Sequence, residues 1–209
     1  MKYLWSVHTL WLSSLVILLA CSVFQGPILA PTASPPPTLV PNALPLALLE
    51  LEVAAGKPTS TSGYWIDSLR HAYPSSGLVD RQIVEPEGCE PGPTTYWLLP
   101  DHELGWAQID LQQTFTIVKL RWLNTHNGRC GHDRATTKFH IALSTTGEFA
   151  GEESLVHSGT MAYSTSPDYE QLSLVPPIQA RYVRFYVDDY YSWGGGLNEL
   201  EVYAAVLLP

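Results

Sequence analysis

From Leu51 onward the chain consists of short runs that alternate apolar with polar residues or are briefly apolar throughout. No long run carries the 3.6-residue period of a helix. Eight runs predict strands: Leu51–Ala55, Trp106–Leu111, Thr116–Leu123, Lys138–Leu143, Leu155–His157, Gln171–Leu174, Tyr182–Asp188 and Leu197–Tyr203. Most are divided by Gly, Pro, Ser, Thr, Asn and Asp, the residues that turn a chain between short strands. A period of two puts Val183, Phe185 and Val187 on one face of their strand. It does the same for Leu200 and Val202, with Glu199, Glu201 and Tyr203 opposite. This many strands, each with a face to hide, predict two antiparallel sheets packed face to face. The segment Ile66–Pro100 breaks the pattern. Pro74, Pro86, Pro91 and Pro93 interrupt it, and it reads as a long loop, which goes with function or a covalent tie.

Ahead of Leu51 the pattern changes twice. Met1-Lys2 opens the chain with a positive charge, and Leu10–Ala20, apolar apart from Ser13 and Ser14, has the length of a secretory hydrophobic region. It ends in Leu18-Leu19-Ala20-Cys21, which resembles a bacterial lipobox, where a cysteine is acylated and becomes the new N-terminus. The expectation is a signal peptide over residues 1–20, a lipidated Cys21, and an exported protein held at a cell membrane or outer envelope. An uncleaved anchor helix over Tyr3–Phe24 and ordinary secretion stay open as alternatives; His8, Thr9, Ser13 and Ser14 weaken the first of these. Gly26–Leu49 then holds seven prolines and no charge. Proline fixes φ and removes a donor, so residues 21–49 read as an extended linker and residues 50–209 as the folded domain.

Composition narrows the partners. Against 20 Asp and Glu there are only 11 Lys and Arg, a formal net charge of −9, which excludes the dense basic face that nucleic acid needs. It also disfavours electrostatic docking on anionic lipid headgroups. Export permits disulfides. With Cys21 lipidated, Cys89 and Cys130 remain, and bridging them closes a loop of about forty residues, worth roughly 4 kcal/mol in the chain-entropy picture. The alternative for Cys130 is metal, since His126, Cys130, His132 and Asp133 cluster, although their spacing matches no strong zinc pattern.

Four segments in order carry a family resemblance. Trp106-Ala107-Gln108-Ile109-Asp110-Leu111 resembles a Trp-x-x-x-Asp-Leu strand; Phe115-Thr116-Ile117-Val118-Lys119-Leu120 follows as the next strand. Arg181-Tyr182-Val183-Arg184 and Leu197-Asn198-Glu199-Leu200-Glu201-Val202-Tyr203 are similar to the last two strands of the same family. This is the discoidin domain, or coagulation factor V/VIII C-type domain, which includes bacterial carbohydrate-binding modules of family thirty-two. The resemblance covers roughly Leu51–Tyr203. It implies an all-β, eight-stranded antiparallel jelly-roll sandwich of the galactose-binding-like type, with ligands held on loops at one end.

Fold does not give function, so the site is argued from residues. A sugar offers an apolar C–H face to an aromatic ring and a rim of hydroxyls to polar side chains. Tyr190, Tyr191 and Trp193 are expected in the last long loop, with Gly194, Gly195 and Gly196 allowing close approach or a tight turn. Trp65 and Tyr64 supply a second aromatic wall, and Asn124–Thr137 supplies His126, Asn127, Arg129 and Arg134. The ligand-binding set is therefore Trp65, His126, Arg129, Arg134, Tyr191 and Trp193. The competing reading makes Trp193 a cap on the sandwich and pairs Arg134 with Asp133 as a loop brace. The resemblance also implies a structural Ca²⁺, for which Asp80 and Glu199 match by position, whereas Arg81, Gln82 and the inserted Ile83–Thr95 depart from the family pattern. Glu199 alternatively reads as a surface carboxylate paired with an arginine. Glu85, Glu87, Glu90, Glu199 and Glu201 do not by spacing make a catalytic pair, and no nucleophile elbow, zinc-protease or phosphate-loop motif is present, so no enzyme is expected. The expectation is an exported, lipid-anchored module that binds glycans. A protein-binding adhesion module or a structural envelope domain is the alternative.

Overall fold

The computed structural model describes residues 48–83, 95–125, 134–161 and 168–207. Cys21, Cys89 and Cys130, and with them the expected lipidation and disulfide, lie outside these residues. Eight strands run in chain order: β1 (Leu48–Glu52), β2 (Thr59–Thr61), β3 (Trp97–Leu98), β4 (Gly105–Asn124), β5 (Arg134–Ser144), β6 (Ser154–Thr160), β7 (Glu170–Ser192) and β8 (Gly196–Leu207). All named pairings are antiparallel.

Two of these strands are longer than the sequence pattern predicts. Trp106–Leu111 and Thr116–Leu123 are one strand, β4, and Gln171–Leu174 and Tyr182–Asp188 are one strand, β7. Their halves lie in different layers. The first half of β4 pairs β2 at Ala107–Ile109 and the second half of β7 at Tyr182–Val187. Beyond its bend β4 pairs β7 again, at Glu170–Ala180, and β8 on its other side. One layer is thus β2, early β4, late β7, β5 and β6. The other is early β7, late β4 and β8, with β1 and β3 on the far side of β8.

The bend has a chemical cause. Asp110 accepts the backbone N–H of Gln112 at 2.7 Å, and Gln112 takes a left-handed φ of 70°, so the strand cannot continue straight. The same carboxylate receives Arg181 in a two-pronged pair, from Nε at 2.7 Å and from Nη2 at 2.8 Å. That pair ties the bend of β4 to the crossing of β7, and it holds the Asp110 carboxyl below the usual carboxylate range. Pro176 and Pro177 sit in early β7, where a register shift interrupts the ladder and the strand forms the layer's edge, so their missing donors cost nothing there.

The inward faces meet in a single core. Ile109, Ile117, Leu120, Ile141, Val183, Phe185, Leu200, Val202 and Ala204 are all fully buried, as the alternation predicts for the closing strands. Phe139 stacks on Phe185 with centroids 5.1 Å apart, and Trp122 of the opposite layer meets Phe139 at 5.3 Å, so aromatic rings span the sandwich. The first strand ends earlier than expected. The Glu52 carboxylate accepts the N–H groups of Ala54 and Ala55 at 2.6 and 3.1 Å and turns the chain out of the ladder. The described part of Ile66–Pro100 is also more ordered than a long loop. It contains a 3₁₀ turn over Ser75–Val79 and strand β3, and it buries Tyr73, Leu78, Val79, Trp97, Leu98 and Leu99.

Candidate functional site

The ends of β2, late β4 and late β7 and the starts of early β4, β5 and β8 all fall at one end of the sandwich. The segments after Thr61, before Gly105 and after Ser192 therefore converge there. Of the six non-glycine residues with left-handed φ among the described residues, Arg70 and His102 lie in these connections and Ser192 ends β7 just before one. Backbone held in that region points to loops over-determined by their surroundings.

What over-determines them is Arg134. Its side chain is only 4% exposed. The guanidinium lies over the Trp65 ring at 3.9 Å, donates from Nη1 to the Leu99 carbonyl at 3.0 Å and pairs through Nη2 with Asp101. A Cβ on Gly194 would stand 2.8 Å from Nη1. One side chain from β5 thus contacts three of the converging loops. The predicted brace through Asp133 lies outside the described residues, and the observed partner is Asp101. A residue so enclosed offers little surface to a ligand, so its role is to position the loops.

Trp65 sits beside it, half-buried. Its ring stacks on Tyr73 at 5.1 Å, and its backbone is pinned to Leu98 and Tyr73 by bonds of 2.8 and 3.0 Å. Tyr73, Tyr96 and Leu98 form a small apolar cluster beneath it, and burial pushes the Tyr96 phenol up to about 12. Below it the chain is locked by Trp97, whose indole N–H donates to the Gly63 carbonyl at 3.2 Å. The following turn is built on Asp67, which accepts the N–H groups of Leu69 and His71 and the His71 ring.

Tyr190 and Tyr191 are not in a loop; they belong to β7, opposite Thr136 and Ala135. Tyr190 packs against the core, whereas Tyr191 is 51% exposed at the strand end. The connection to β8 is only residues 193–195, and its tip is Trp193, 50% exposed. Beside it lies His102, whose ring centroid is 5.2 Å from that of Trp193 and whose N–H donates to the Trp193 carbonyl at 2.8 Å. The three glycines serve close approach, not a left-handed turn. They are buried, and a Cβ would meet Val187 at 2.5 Å from Gly195 and the Trp97 carbonyl at 2.1 Å from Gly196. They seat the loop against the protein and turn Trp193 outward.

The end surface thus presents Tyr64, Tyr191, Trp193 and His102 over a floor of Trp65 and Arg134. His126 and Arg129 lie outside the described residues. Asp101 and His102 did not stand out in the sequence. Their one signal is a polar turn, Pro100–Glu103, directly ahead of the Trp106 strand.

The two expected calcium residues also meet. A register shift in β8 between the partners of Leu123 and Asn124 leaves Asn198 as an extra residue and buries both Asn198 and Glu199. Glu199 is therefore not a surface carboxylate. It faces Asp80 within hydrogen-bond reach, and its Oε1 and both polar atoms of the Asn198 side chain have no partner among the described residues. Burial, and next the Asp80 carboxylate, push the Glu199 carboxyl up to about 9. Arg81 turns away to Glu52 at 2.7 Å. The buried Glu199 carboxyl, the half-buried Asp80 carboxyl beside it and the orphaned Glu199 and Asn198 oxygens fit a hard cation. No third His, Cys, Asp or Glu converges on them among the described residues.

Comparisons with known proteins agree with this geometry. A family model for the F5/8 type C domain matches residues 59–202. Solved structures give the same fold at low identity. The family 32 carbohydrate-binding module of C. perfringens NanJ, solved with galactose, is 17% identical, with a TM-score of 0.56 over 74% of this chain and 99% of its own. A Streptococcus pneumoniae fucose-binding module is 19% identical, with a TM-score of 0.52 over 74% and 98%. A Clostridium perfringens module in complex with GalNAc-β-1,3-galactose is 14% identical, with a TM-score of 0.57 over 74% and 100%. A search of curated proteins gives no match.

Two predictions follow from the buried charges. Arg134→Ala leaves Asp101 and the Leu99 carbonyl without their partner, and a urea titration should show a loss on the order of 3 kcal/mol; an unchanged midpoint would remove Arg134 as the brace. For Glu199, the folded protein holds its proton more tightly than the unfolded chain, whose carboxyl titrates near 4.5. The resulting stability is complete below about 4.5 and is lost as pH rises toward about 9. In chelator-treated protein, unfolding at pH 5, 7 and 9 should therefore show falling stability, and Glu199→Gln should flatten that trend.

Proposed function

The chain belongs to the F5/8 type C domain family, and from that premise we propose that it is a non-catalytic carbohydrate-binding module that takes glycans on the loops at one end of its sandwich. The observation that carries the proposal is the exposed Trp193 beside His102, with Tyr191 and Tyr64 around it, on loops made rigid by buried Arg134. A flat ring covers the apolar face of a sugar, and adjacent polar groups pair with its hydroxyls. Rigid loops spare the ligand the entropy of ordering them. Solved modules of this fold in complex with galactose and with GalNAc-β-1,3-galactose favour the same ligand class. His126 and Arg129, in the loop before β5, are proposed to supply further polar contacts.

The N-terminal sequence pattern supports an exported module. Cys21 would carry the lipid, Gly26–Leu49 would hold the domain off the membrane, and Cys89 and Cys130 would be bridged. A second reading has a specific observation behind it. Ile66, Leu69 and Leu104 are 54, 67 and 58% exposed, and apolar side chains of that kind suit a protein partner in an adhesion role.

A calcium ion is also proposed, held by the Asp80 and Glu199 carboxylates. Bound there, it would replace the shared proton and tie the 3₁₀ turn to β8.

Two measurements decide these proposals. On a glycan array the purified protein should bind galactose-type or related glycans, and Trp193→Ala should weaken its best hit by roughly tenfold, ~1.4 kcal/mol, with little change in melting temperature. No glycan hit, with a protein captured instead, would favour the adhesion reading. For calcium, metal analysis should find one ion per chain, and chelation should lower the melting temperature. An ion present at a hundredfold its Kd stabilises by about 2.7 kcal/mol, which is on the order of 5–10 °C for a domain of this size. An unchanged melting curve would remove the ion.

A further inference from the structure

The outer face of the β5–β6–β7 layer carries a second constellation, away from the end loops. A cleft of about 390 Å³ lies there, lined by His140, Ala142, Glu153, Leu155, Ser158, Tyr186 and Asp188. Cross-strand pairing sets it out in rows: Tyr186, His140 and Ser158 are neighbours across three strands, and Arg184, Ala142 and Leu155 make the next row. The His140 ring stacks on Tyr186 with centroids 4.1 Å apart and planes 12° apart, and its Nδ1 contacts the Asp188 carboxylate at 2.7 Å.

Leu155 is placed there by a backbone device. Ile141 pairs His157 and Ala142 pairs Leu155, so Val156 is an extra residue on β6. His157 turns inward onto the Trp122 and Phe139 rings. Strict alternation would send Leu155 inward with it. The bulge instead holds Leu155 on the outer face, 64% exposed. An apolar side chain kept in water by a bulge, in a cleft it shares with His140, Asp188 and Glu153, is what a ligand with an apolar face would cover.

The polar atoms decide which ligand. A carboxylate can only accept, so His140 donates from Nδ1 to Asp188. Asp188 and Glu153 are acceptors, and no Lys or Arg lines the cleft; Arg184, in the adjoining row, is held by Gln108 and the Tyr186 hydroxyl. Two carboxylates match an ammonium group, which offers three donors and a positive charge. We propose that this cleft is a second saccharide subsite, selective for a sugar bearing a protonated amine, with its C–H face on Leu155 and its ammonium at the Asp188 and Glu153 carboxylates. The size suits one or two pyranose rings, and strands make a stiffer platform than loops. The inference extends the glycan reading to a separate surface and does not need the end loops to bind.

The test is amide-resolved NMR of the protein at pH 6, titrated with a glucosamine tetramer and, separately, with its N-acetylated counterpart. The amine-bearing oligomer should shift amides of β6 and of His140, Tyr186 and Asp188. Those shifts should persist in Trp193→Ala. They should weaken at least tenfold in Asp188→Asn with Glu153→Gln, and also in Leu155→Ser, whose exposed site leaves folding intact. The proposal is overturned if the oligomer shifts only the end loops, if it shifts nothing, or if the acetylated oligomer binds the cleft equally well. Glycan binding at the end loops alone would leave the proposed function standing while removing this subsite.

Discussion

Strands β4 and β7 pair with each other twice, once in each layer, and every other strand attaches to that ribbon directly or through a neighbour. The ribbon has to bend for the layers to face one another, and the bend is held by the two-pronged Asp110–Arg181 pair and the left-handed Gln112. An exposed ion pair would count for little; this one is partly shielded and has the fork geometry that makes such pairs specific. Its work is to choose where two long strands leave one sheet for the other. Once that is set, the inward faces of both layers close on the Phe139, Phe185 and Trp122 rings, and all the loops of the candidate site emerge at one end.

At that end a second interaction takes over. Arg134 is a charge drawn into the protein and held by a ring face, a backbone carbonyl and the Asp101 carboxylate, with only its Nε left without a partner among the described residues. Trp65 comes from one connecting segment, and Leu99 and Asp101 from another. A lysine has one point of charge and no planar fork, and would not bridge them in the same way. The glycine triplet matches this arrangement: it lets the Trp193 loop lie against Arg134 and the Trp97 carbonyl. The outcome is an exposed tryptophan on a short, stiff connection.

The end surface and the outer cleft differ in how they are built. The first is aromatic, on loops pinned from below by one buried cation. The second stands on three paired strands and is lined with acceptors. The Asp80 and Glu199 pair is different again, with the Glu199 carboxyl buried beside the half-buried Asp80 carboxyl so that Glu199 holds its proton well above the usual carboxylate range.

Much of this was legible in one dimension. Alternation identified the inward faces of late β7 and β8 because burial there repeats with the two-residue period of the backbone, and four short motifs in order were enough to recognise the family. Asp80 and Glu199 were paired by position, and Trp193 was marked as a surface aromatic by the polar and glycine residues around it. Other features had no local signal. The union of two predicted strands into β4, and of two into β7, depends on a bend stabilised by a residue 71 positions away. Tyr190 and Tyr191 extend a strand because Thr136 and Ala135 lie opposite them. The burial of Arg134 and Glu199 depends on chain segments that fold over them from elsewhere. The sequence by itself determined which residues alternate and which chemistry is available. Tertiary structure alone decided which polar groups lose their water, because that depends on what distant chain covers them.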